Sequence, residues 1–137
     1  MGTLFMQYVV IGLGGALGSM LRFGLASTID ARVAKAGQIF PYGTILVNIT
    51  GCFIIGFIFT ISSTEGRVFL SQLTRQFVMI GILGGYTTFS SFSLQTLVLA
   101  EAGQWWGAAA NVLLSVILCL AGVWLGAALA TSINQLR

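Results

Sequence analysis

The residues best suited to chemistry lie between positions 81 and 93, where Gly81, Gly84 and Gly85 precede the unbroken string Thr87-Thr88-Phe89-Ser90-Ser91-Phe92-Ser93. Adjacent Gly and adjacent Thr weaken helix continuity. In mid-membrane, the carbonyls so freed must find partners away from lipid. Carbonyl oxygens from Gly84 through Thr87 suit a small hard cation, and two crossing copies of the segment could supply four. A plainer reading keeps the helix whole, with glycines at a helix crossing and hydroxyls bonded back to the preceding turn. Phe89 and Phe92, three apart, share a helical face. Their positive ring edges suit an anion that passes without tight capture; core or lipid packing is the plainer role for two phenylalanines.

Polar groups elsewhere extend the pattern. Asn48 stands in an apolar stretch with Thr44 one turn earlier, and Asn111, Ser115, Cys119, Gly122 and Gly126 form a stripe at helical spacing. In a bilayer such a stripe must face another helix or water, so interhelical hydrogen bonding and a polar path both account for it. Arg22 is the one charge close to an apolar span; it either draws anions into a vestibule or extends to the headgroups. No Asp or Glu lies inside an apolar span, which removes a carboxylate proton relay and a multivalent-cation pathway. With no His, and with Cys52 and Cys119 as the two cysteines, zinc, haem and a disulfide framework are not expected. The cargo these groups favour is a small anion that trades water for hydroxyl and amide donors.

The elements that position these residues follow from the charge map. Of 137 residues, 57% are apolar and 7% charged, against about 25% charged in soluble domains. The charged residues leave intervals 1–21, 36–64, 76–100 and 102–136 free of charge, each long enough for the roughly 20 residues that cross a bilayer. The pattern predicts an all-α integral membrane protein: one domain, 1–137, with helices at about 4–26, 41–61, 67–100 (broken near 84–88) and 105–130. Ile29 to Gly37, with Asp30, Arg32 and Lys35, reads as a loop. Pro41 suits a helix start, and Trp105 and Trp106 suit an interfacial belt. No enzyme domain fits outside the membrane, a net charge of +3 is too scattered for nucleic acid, and the first interval lacks the pattern of a cleavable signal peptide.

Four crossings put both termini on one side. Arg67, Arg75 and Arg137 then face Arg22, Arg32 and Lys35 across the membrane, a balance that predicts insertion both ways round in similar numbers. A bundle this small has little interior of its own, so a homodimer is expected. If both orientations occur, an antiparallel pair reproduces an inverted repeat. Gly14/Gly18, Gly81/Gly85 and Gly122/Gly126, each four apart, allow close crossings.

The run Gly81 to Ser93, with Gly43-Thr44 through Val47-Asn48, Gly51 and Leu21-Arg22, resembles the Fluc (CrcB) fluoride channel family across the whole chain. The resemblance implies a dual-topology antiparallel homodimer in the bacterial inner membrane, with two pores that passively export fluoride. It implies pore-lining roles for Phe89, Phe92 and Asn48 and a polar track of Thr88, Ser90, Ser91 and Ser115. It places Arg22 near the vestibule, and it gives the carbonyls of Gly84 and Thr87 a structural sodium ion (Na+) at the dimer centre. Gln95 stands where the family usually has Glu, and Cys119 where Ser is common. A small multidrug-type exporter, also a four-helix dual-topology dimer, is the alternative, but it needs a membrane carboxylate that the first helix lacks. A non-transporting structural subunit would have no use for a broken third helix.

Overall fold

The structure is a computed structural model and describes residues 2–35, 40–63 and 66–136. These form helices α1 (Gly2–Lys35), α2 (Tyr42–Ile61), α3 (Gln72–Arg75), a π-helical run (Gln76–Leu83), α4 (Gly84–Tyr86), α5 (Phe89–Glu101) and α6 (Trp105–Gln135). Four stretches are long and apolar enough to cross a membrane: Thr3–Val33, Tyr42–Ile61, Gln72–Glu101 and Trp105–Gln135. The second is innermost, with 33% of its most apolar window buried against 11% to 17% in the others. Its outward neighbours leave Leu13, Leu17, Leu113 and Leu120 exposed, as lipid-facing or partner-facing side chains must be.

Three boundaries differ from the sequence expectation, the simplest being the end of the fourth helix, which runs to Gln135 rather than about 130. The first helix does not end near 26, and Ile29 to Lys35 is not a loop: α1 continues to Lys35, while 36–39 lie outside the described residues. The charged residues there look like loop only while they lack partners. Asp30, which now stands inside the first helix and the stretch Thr3–Val33 where no carboxylate was expected, has one, since its carboxylate accepts the Gly43 N–H at the start of α2 at 2.8 Å, an orphan donor at the positive end of that helix. Gly43 permits the approach, because a Cβ there would lie 2.6 Å from the Ala26 carbonyl oxygen. The third stretch becomes helical at Gln72 rather than Arg67. Ser71 accepts the Thr74 N–H as an N-cap, while Arg67 reaches across to α6, taking Asn134 Oδ1 and the Leu136 carbonyl at 3.1 and 2.6 Å.

α1 packs along the π-helical run and α4, α2 packs along α6, and α5 lies on α6. Backbone contact sets the first crossing. A Cβ on Gly14 would meet the Phe77 carbonyl oxygen at 2.6 Å, and one on Gly18 would overlap the Ile82 carbonyl oxygen. On the other side, a Cβ on Gly126 would overlap the Phe53 carbonyl oxygen. The π-helical run carries no Pro or Gly-Ser mark that would reveal it in the sequence; π geometry of this kind gathers near functional sites. α4 then stops: Thr87 (φ −83°, ψ 154°) and Thr88 (φ −150°, ψ 119°) are extended, and α5 starts with Thr88 as its N-cap.

Candidate functional site

Asn48 joins α2 to the extended pair. Its Oδ1 accepts the Thr88 N–H at 2.8 Å, and its Nδ2 donates to the Thr88 carbonyl at 3.0 Å. Both ends of one amide are therefore spent on one backbone unit, which replaces helix bonding where the helix stops. The amide keeps a second N–H. The same contact frees another group, since the Thr88 N–H is the donor that a continued helix would give to the Gly84 carbonyl. The Gly85 carbonyl is handled differently. It accepts from Arg22 Nε at 3.2 Å and Ser19 Oγ at 3.5 Å, both from α1.

Around this junction lies a cavity of about 310 Å³, lined by Asn48, Cys52, Thr87, Thr88, Phe89, Phe92, Ser115, Val116, Cys119 and Leu120. It brings together residues from α2, the extended pair, α5 and α6. The two phenyl rings stand 5.2 Å apart at 54°, a tilted pairing that presents edges as well as faces. Phe92 is buried, whereas Phe89 is 78% exposed in the single chain. Ser115 is buried, and its hydroxyl has no hydrogen-bond partner. It is a donor held free at the cavity wall.

Of the residues singled out from the sequence, Asn48, Thr87, Thr88, Phe89, Phe92 and Ser115 meet here. Ser90 and Ser91 are not on that lining. Thr88 Oγ1 bonds Ser91 Oγ at 3.1 Å, exchanges a hydrogen bond with Ser90 Oγ at 3.3 Å, and accepts the Ser91 N–H at 3.2 Å. The three hydroxyls form a cluster that caps α5. Gly84 and Arg22 also stand off the cavity lining. Arg22 is fastened to α4, and Gly84 is exposed on the single chain.

Three contacts were not legible in the sequence. Asn111, 1% exposed, donates to Thr96 Oγ1 at 2.8 Å, and Thr96 in turn bonds the Phe92 carbonyl at 2.8 Å, so a polar pair fixes the turn that carries Phe92. Thr50 and the Tyr86 hydroxyl meet at 2.9 Å, tying α2 to α4. Cys52 joins Cys119 on the cavity wall. Only helical spacing along α6 could have flagged Asn111, and nothing in the sequence assigns its partner on another helix.

A family model described as CrcB-like protein, Camphor Resistance (CrcB), matches residues 9–127. The chain belongs to this family. Among its relatives, the fluoride-specific ion channel FluC of Rhodospirillum rubrum is 53% identical over 110 residues, which cover 80% of this chain and 83% of the relative. The protein of the same name from Opitutus terrae is 50% identical over 130 residues, covering 95% and 96%. That from Methylocella silvestris is 46% identical over 132 residues, covering 96% and 98%. Of the two departures from the CrcB pattern, Cys119 lies on the cavity. Gln95 does not, and its Oε1 is buried without a partner.

Proposed function

We infer that this chain is a fluoride-specific ion channel, a multi-pass membrane protein and not an enzyme. The observation that carries this is the near-complete alignment, at 50% identity, with a relative named for that activity. Fluoride must shed water, and the path must return donors for those it removes. The cavity supplies a free Ser115 hydroxyl, the second N–H of Asn48 and two phenyl edges. Each is uncharged, so the ion is solvated without the deep binding that would stop it from leaving. No Asp or Glu lies on the lining to couple passage to a proton, so transport runs down the fluoride gradient. In a bacterial inner membrane this direction is export.

The pore assignment is Phe89, Phe92, Asn48, Thr88 and Ser115, with Ser90 and Ser91 holding the Thr88 hydroxyl in place and Arg22 beside the approach. Thr3 to Arg22 is 19 residue steps, about 29 Å of helix, which sets Arg22 about one hydrocarbon thickness from the start of its span.

The functional unit we infer is an antiparallel homodimer with two such paths. The exposure of Phe89 supports it, because a pore-lining ring open to lipid needs a cover. Exposed Gly84 supports it too. The sodium assignment fits the donor set: the Gly84 carbonyl has lost its helical donor to Asn48, and the Thr87 carbonyl sits in extended backbone. Unwound carbonyls are ligands of this kind. A sodium ion there would take the carbonyl oxygens of two copies as ligands where they cross.

The test is fluoride efflux from liposomes holding the purified protein, read by a fluoride electrode with a potassium ionophore present. Rapid efflux is expected. Efflux no faster than from empty liposomes would overturn the channel assignment.

A further inference from the structure

Two thiols share the cavity wall, and the anion path has no use for either. Cys52 is one turn from Asn48 on α2, and Cys119 one turn from Ser115 on α6, so two i, i+4 pairs face the same cavity across the most extensive helix packing among the described residues. Gly122 sets the approach: a Cβ there would lie 3.7 Å from Cys52 Cβ, and Cys119 is one turn away on the same face. Both thiols line the same cavity, and both are free and half-buried. Among the described residues, no third His, Cys, Asp or Glu joins them.

We propose that Cys52 and Cys119 form a two-coordinate site for a soft divalent cation of the mercuric class, which closes the fluoride path when it binds. Ligand type selects the metal. Thiolates favour soft ions, and a structural zinc ion would need four ligands where two are present. Charge selects among soft ions. Two S–H bonds break, two metal–sulfur bonds form, two protons leave to water, and no electron is transferred. The product of Hg2+ with two thiolates is neutral, so no net charge is left in a low-dielectric wall. The metal would stand one helical turn from both Asn48 and Ser115, within the cavity that fluoride must cross. The block, though not the metal site, rests on the pore assignment made above.

Mercuric chloride is added to purified full-length protein, and the remaining thiols are counted after denaturation. One bound mercury per chain should remove both thiols from the count. One thiol left per bound mercury would overturn the site, and this measurement needs no variant. In proteoliposomes, block is scored against each protein's own efflux and reversed with glutathione. Cys52→Ser and Cys119→Ser should each release the metal at about 100-fold lower glutathione, because one anchor of a bivalent attachment is lost. Reversal at the same concentration as the parent would overturn the pairing. Full occupancy by the thiol count with undiminished efflux would leave the metal site standing and overturn this cavity as the fluoride path.

Discussion

At the scale of single residues, the cavity separates groups that hold structure from groups that are free to act. Asn48 does both, with Oδ1 and one N–H on Thr88 and one N–H left over. Asn48→Asp removes the donor to the Thr88 carbonyl and sets a negative charge beside the path. Fluoride efflux should fall about tenfold or more, as expected for at least 1.4 kcal/mol added to a barrier, and the thermal midpoint should fall with it. Ser115 is the opposite case, because its hydroxyl is buried without a partner. Ser115→Ala breaks no bond and removes an unsatisfied polar group, so stability should hold or rise while efflux slows. A midpoint that fell with efflux would make Ser115 structural. Phe89→Ile and Phe92→Ile should both slow efflux with the dimer intact on size-exclusion chromatography; parental rates for both would take the rings out of the path.

At the scale of elements, spacing revealed what repeats and missed what depends on distant partners. The apolar intervals gave four spans, and Gly14, Gly18, Gly81 and Gly85 gave a crossing that the backbone makes. The continuation of α1 to Lys35 was not legible, because the group that receives its Asp30 carboxylate, the Gly43 N–H, lies 13 residues away. The hydroxyl string was legible as a group, but its division was not. Thr88 faces the cavity because Asn48 holds its backbone, and Ser90 and Ser91 turn to Thr88 because they open α5. Gly18→Ala tests the crossing. Its Cβ would fall on the Ile82 carbonyl oxygen, so overpacking should cost about 1–3 kcal/mol, read as a lower thermal midpoint. Gly24→Ala, at a site with nothing within 4 Å, should leave the midpoint unchanged or raise it. Equal midpoints for the two variants would argue against this packing.

At the scale of the whole molecule, a single chain leaves the Phe89 ring, Gly84 and long apolar faces exposed. Three basic residues against three give no preferred orientation, and in the antiparallel pair we propose a second copy inserted upside down would cover these surfaces by the same contacts twice. C-terminal reporters active on only one side of the membrane should therefore both give signal, and signal from one alone would exclude the antiparallel pair. The central claim is that this chain is a fluoride-specific channel whose uncharged donors carry the ion. Its most direct measurement is the reversal potential in a planar bilayer with fluoride on one side and chloride on the other. The account predicts discrete currents that reverse far toward the fluoride equilibrium potential. A reversal near zero, with chloride carrying current as readily, would contradict it.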